Sequence, residues 1–118
     1  MTYQQKIYNE TKEIFKKLQA IILEYWPCEP AILPRTIIGE FLTSSDIDEF
    51  NWLRIIISLE IDYKINVPDD LALNTNQTFS EFVTSLSMLM PKTENIPWTF
   101  NRIKMLTDVF FQEYLNTA

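Results

Sequence analysis

A single glycine, Gly39, serves the whole chain of 118 residues. Tight hairpins and bulges use glycine for backbone angles that other residues resist. A chain this poor in it is not expected to build a sheet with many short turns, and it has no glycine-rich phosphate loop. Six prolines punctuate the sequence instead. Between them, apolar residues recur mostly at three- and four-residue spacing, the period of a helix with one buried face.

The first such stripe covers residues 3–25 and carries Ile7, Thr11, Ile14, Leu18, Ile21 and Tyr25, widened by Phe15 and Ile22. Pro27, Pro30 and Pro34 end it and predict an extended loop over 26–35. A short segment follows, "RTIIGEFLT", whose Ile37, Ile38, Phe41 and Leu42 are expected in the core. A second helix is predicted from near Ser45, with Ser45 and Asp48 forming a capping box in which Asp replaces the usual Glu. Its expected buried face is Ile47, Phe50, Leu53, Ile56 and Ile57, with Ile55 and Leu59 beside it and Asn51, Arg54 and Ser58 polar. "DYKINVP" breaks the rhythm and reads as an extended connection, and "PDDLALNTNQ" as a loop with one helical turn. Thr78 and Glu81 give a fuller capping box, opening a helix with Phe79, Phe82, Val83, Leu86 and Leu89 that stops at Pro91. A last helix from about Pro97 or Thr99 carries Phe100, Ile103, Leu106, Phe110 and Leu115. The expectation is an all-α chain with four main helices in one domain.

The residue inventory narrows the chemistry. There is no histidine, which excludes imidazole bases and His metal sites, and Cys28 is the only cysteine. No stretch is long and apolar enough to span a membrane, and the opening residues lack a signal-peptide core, so the expected location is cytoplasmic. The net charge is −6, of which residues 44–70 hold −5. Asp46, Asp48, Glu49, Glu60, Asp62, Asp69 and Asp70 there face only Arg54 and Lys64. Such a segment repels nucleic acid and anionic membranes and complements a basic protein surface.

With the helices placed, "DEFNWLRIIISLEIDYKINVPDD" resembles the second helix of acyl carrier proteins together with the segment after it. The family pattern is Asp-Ser-Leu, an apolar helix ending in Leu-Glu, an aromatic residue, then Ile/Val-Pro-Asp. Here it reads Asp48-Glu49-Phe50, Leu59-Glu60, Tyr63 and Val67-Pro68-Asp69, with "IIGEFL" similar to the segment before the family's modification loop. The resemblance covers about residues 12–90 and implies an acyl-carrier-like four-helix bundle, to which residues 97–117 add a C-terminal helix. In the family the serine of Asp-Ser-Leu carries 4′-phosphopantetheine through a phosphodiester at a helix N-terminus. That position holds Glu49 here, or Asp46 in a register shifted by three residues, and a carboxylate cannot take the arm.

Several residues carry two readings. Asp46, Asp48 and Glu49 suit the first turn of a helix, where acids gain about 0.3–1 kcal/mol each from the dipole. Capping does not account for Glu60, Asp62, Asp69 and Asp70, and that favours an acidic docking face. Ser44 and Ser45 are the hydroxyls near enough to serve as displaced attachment sites, although Ser45 also suits an N-cap. Trp52 is expected in the core or facing a partner, Cys28 in packing, and Met88 and Met90 as core fillers. The leading expectation is a monomeric, non-catalytic, acyl-carrier-like protein without cofactor or metal. It docks a basic partner, such as a carrier-dependent enzyme, through Asp46, Asp48, Glu49, Arg54, Glu60 and Asp62. The alternatives are a functional carrier bearing 4′-phosphopantetheine on Ser44 or Ser45, and a structural or regulatory helical module unrelated to carriers.

Overall fold

A computed structural model describes residues 3–25, 32–90, 100, 101, 104 and 105. Cys28 and most of the expected C-terminal helix lie outside them; residues 100, 101, 104 and 105 are helical. The described chain is helical, with α1 (Tyr3–Tyr25), α2 (Ile38–Ser44), α3 (Glu49–Tyr63), α4 (Asp69–Ala72) and α5 (Phe79–Leu89). The all-α expectation holds, and α1 matches its predicted span. No described helix is long and apolar enough to cross a membrane.

The α1 stripe buries Thr11, Ile14, Phe15, Leu18, Ile21 and Ile22, and α1 packs against both α5 and α3. The side of α5 that meets the core includes small hydroxyl residues, with Ser80, Thr84 and Ser87 all buried. Two of the hydroxyls have partners: Thr84 Oγ1 donates to the Ser80 carbonyl at 2.7 Å, and Ser87 Oγ donates to the Glu10 carboxylate on α1. A buried hydroxyl left without a partner would cost about 1–3 kcal/mol, so these pairings are what make a polar seam tolerable inside the core.

The N-termini of α2 and α5 are capped by each other's lead-in. The Ile38 and Gly39 amides donate to the Gln77 and Thr75 carbonyls at 3.0 and 2.7 Å. In return, the Phe79 and Ser80 amides donate to Thr36 and Pro34 at 3.0 and 2.8 Å. An isolated antiparallel bridge, Ile37 with Thr78, lies at the centre of this clasp. The first amides of a helix have no partner within it, and here the opposite strand segment supplies them. The single glycine sits at the closest approach. A Cβ at Gly39 would come within 3.0 Å of the Thr75 carbonyl oxygen, the atom its own amide bonds.

Thr78 and Glu81 form the expected capping box: Thr78 Oγ1 accepts from the Glu81 amide, and the Glu81 carboxylate accepts from the Thr78 amide. The expected start of α3 needs correction. Asp48, not Ser45, is its N-cap, accepting from the Asn51 amide at 2.8 Å. Ser45 instead closes α2, and its side chain is buried. Between them Asp46 takes a left-handed conformation, φ 56°, which turns the chain from α2 into α3. Asp is among the few non-glycine residues that tolerate this region.

The buried face of α3 also differs from the expected one. It comprises Trp52, Ile55, Ile56 and Leu59, spaced i, i+3, i+4, i+7, whereas Phe50 and Ile57 are exposed. Ile47 is buried, but it precedes the helix. Tyr63 belongs to α3 and is not in the extended connection, which runs over residues 65–68. Within residues 71–77 only Leu71 and Ala72 are helical. Met88 is exposed and does not fill the core, while Met90 packs against it.

Candidate functional site: the outer face of the third helix

Rotating the buried face of α3 onto Trp52, Ile55, Ile56 and Leu59 turns a different row outward. Phe50, Arg54, Ile57 and Ile61 fall within about 60° of arc on the opposite side, at about 100° per residue. Phe50 and Ile61 are each 69% exposed and Ile57 51%. The row is about 16 Å long at 1.5 Å per residue. Isolated exposed apolar residues are ordinary, but three aligned on one helix face form a ridge.

Acidic residues surround the ridge. Asp46, Asp48 and Glu49 are exposed at its N-terminal end. Asp48 is partly committed, because one carboxylate oxygen caps the helix. Glu49 stands at the first helical position and its side chain has no bonding partner among the described residues. Glu60 and Asp62 lie on opposite flanks near the C-terminal end. The Glu60 carboxylate accepts from the Val67 amide at 2.9 Å, and its carbonyl accepts from Lys64 and Ile65. Glu60 therefore stitches the exit of α3 to the returning chain, and this gives the Leu59-Glu60 to Val67-Pro68 pattern a structural reason. Asp62 pairs with Lys17 of α1 at 3.0 Å, in an ion pair exposed enough to contribute only about 0–1 kcal/mol.

Arg54 lies in the middle of the ridge. Its guanidinium carbon is 5.4 Å from the Phe50 ring centroid, and its side chain makes no ion pair among the described residues. Thus the cation at the centre of this face lies over an aromatic ring and pairs with none of the carboxylates around it. Sequence reasoning misses the ridge because it assigns Phe50 and Ile57 inward. The spacing of Trp52, Ile55, Ile56 and Leu59 is the signal that could have found it.

The two serines do not suit a phosphopantetheine arm. Ser45 is buried at the C-terminal end of α2. Ser44 is exposed, but its Oγ donates to the Phe41 carbonyl at 3.1 Å, and it too sits where the helix dipole is negative. The hollow beside Ser44, lined by Ile37, Gly39, Glu40, Thr43 and Thr75, presents a carboxylate and no cation to a phosphodiester. Glu49 occupies the helix N-terminus that would favour an anion, and it has no hydroxyl. Among the described residues no group of three or more His, Cys, Asp or Glu side chains is placed to hold a metal ion.

Tyr63, at the C-terminal end of α3, gives the face a pH-dependent anchor to α1. Its hydroxyl approaches the Glu13 carbonyl at 3.5 Å, a long contact. Burial, followed by the charges of Glu13, Asp62 and Glu10, raises the phenol above its ordinary value. An unfolded chain loses this proton near pH 10, before the folded chain does. The stability contribution is therefore complete below that pH and declines as pH rises through the folded value. Tyr63→Phe should show a smaller loss of urea midpoint than wild type between about pH 8 and about pH 10.5. Parallel losses would show that Tyr63 does not contribute to the alkaline limb.

No family model, no curated protein and no solved structure matches this chain.

Proposed function

We propose that this chain is a non-catalytic, acyl-carrier-like helical bundle that works by docking a basic protein partner on the outer face of α3. The observation that carries the reading is the exposed ridge of Phe50, Ile57 and Ile61 with Asp46, Asp48 and Glu49 at its end. Apolar area supplies affinity in such a contact, and the acids steer a basic surface onto it. Of the acids, Asp46, Asp48 and Glu49 face a partner most freely, while Glu60 and Asp62 have partners within the chain. The short α4 favours a second reading, an interaction module unrelated to carriers, which would use the same face with a different partner.

A carrier-dependent enzyme can test both. A phosphopantetheinyl transferase is passed over the immobilised chain, and intact mass is read after incubation with coenzyme A. The expected result is binding without a mass increase. Binding should fall at least about tenfold, or about 1.4 kcal/mol, in the combined variant Asp46→Asn, Asp48→Asn, Glu49→Lys. Asparagine at 48 keeps the helix cap, and circular dichroism checks that α3 survives the loss of its first-turn acids. No binding would count against a carrier-dependent partner, and binding unchanged by the variant would count against the acidic face. A discrete mass increase would replace this reading with that of a functioning carrier.

A further inference from the structure

Arg54 is the least expected residue on this surface. Residues 44–70 hold seven carboxylates, yet its guanidinium pairs with none of those described and rests on the Phe50 ring. The guanidinium carbon lies 5.4 Å from the ring centroid, and its N–H donors, which pair with no described carboxylate, have the fork geometry that fits one. Arg54 lies at the middle of the apolar row, with Phe50 on one side and Ile57 and Ile61 on the other.

We propose that the outer face of α3 binds an amphipathic helix of a partner protein that is basic along its flanks and carries one carboxylate at its centre, set against Arg54. This rests on the docking reading and specifies its partner. A helix is the element that fits. The row runs along one helix for about 16 Å, and the ridges of a helix surface leave grooves into which a second helix can lay its own ridge. The one described bridge, Ile37 with Thr78, is flanked by paired amides and offers no open strand edge. Asp46, Asp48 and Glu49 call for Lys or Arg on the partner's flanks. A lysine opposite Arg54 would be repelled, and an apolar residue there would bury the guanidinium without a counter-charge. A second copy of this chain is a poorer occupant, because it would bring two acidic segments of charge −5 together.

Two designed peptides of about 18 residues, long enough to hold a helix, serve as probes. Both carry a Leu stripe with Lys flanks, and they differ only in Glu or Lys at the central position. Calorimetric titration of the full chain should give at least tenfold tighter binding of the Glu peptide. Arg54→Glu should reverse that order, and Phe50→Ser with Ile57→Ser should weaken the Glu peptide at least tenfold. These three positions are exposed, so the fold should survive their change, and circular dichroism checks it. Equal affinity for the two peptides, or an order unaffected by Arg54→Glu, would overturn the central pairing. If the Asp46, Asp48, Glu49 variant still weakened both peptides in that case, the docking face would stand and this refinement alone would fall. If that variant changed nothing, the docking reading would fall with it. Sedimentation showing a dimer of the chain alone that Phe50→Ser with Ile57→Ser dissociates would assign the ridge to a second copy and overturn the proposal.

Discussion

Trp52→Ala should lower the unfolding free energy by about 3–5 kcal/mol, the range for truncating a buried aromatic side chain. A domain of this size typically has about 5–15 kcal/mol in total, so this one change would consume much of it. Trp52 is 2% exposed and sits in an aromatic cluster. Its ring meets Phe82 at 5.5 Å and the edge of Phe79 at 6.4 Å, and Phe79 in turn stacks edge-on with Phe41 at 5.5 Å. The cluster therefore links α2, α3 and α5. Its indole Nε1–H donates to the Ala72 carbonyl at 3.1 Å, which fixes the end of α4 against α3. Trp52→Phe separates the two contributions. It keeps most of the ring contact and leaves that carbonyl without its donor, so it should cost less than Trp52→Ala, about 1–3 kcal/mol from the lost bond. Urea unfolding followed by circular dichroism measures both. A loss below about 1 kcal/mol for Trp52→Ala would mean that the cluster can relax around the gap or that Trp52 is not buried in solution.

Which features are legible in the sequence depends on which interactions are local. The α1 stripe repeats regularly over 23 residues, so its period and phase are both plain. The Thr78 capping box closes within four residues, and its signal lies wholly inside the segment that it caps. The clasp between residues 34–39 and 75–80 joins two stretches far apart in the chain through backbone atoms, which have no residue signature. The start of α3 offers two acceptors, Ser45 and Asp48. A left-handed turn at Asp46, set by tertiary context, decides between them. The docking acids can be read as a charged segment, but their commitments cannot. Glu60 bonding Val67 and Asp62 pairing with Lys17 depend on how the chain returns and where α1 lies.

The phase of α3 is the hardest feature to read, and the second large effect tests it. Ile55, Ile56 and Ile57 are consecutive, so composition alone allows the buried face to be drawn through either end of the trio. Including Ile47 and Phe50 in the same stripe draws it through Ile57. In the structure Ile47 lies before the Asp48 cap and approaches the core from outside the helix, so it says nothing about the helix's rotation. Without it, Trp52, Ile55, Ile56 and Leu59 set the phase, leaving Ile55 fully buried and Ile57 51% exposed. Ile55→Ala should therefore cost about 2–5 kcal/mol, through lost burial and the cavity left behind. Ile57→Ala should fall within about 0.5 kcal/mol of wild type, since it removes little buried surface and alanine favours the helix. The two substitutions are chemically identical and two residues apart, so helix propensity and unfolded-state effects nearly cancel in the comparison. If α3 were rotated to the phase drawn through Phe50 and Ile57, the order would reverse and the apolar ridge with Arg54 at its centre would not face solvent. The same pair of variants also separates stability from binding: Ile57→Ala should leave the midpoint of unfolding in place and weaken the docked helix, whereas Ile55→Ala should do the opposite wherever the chain remains folded.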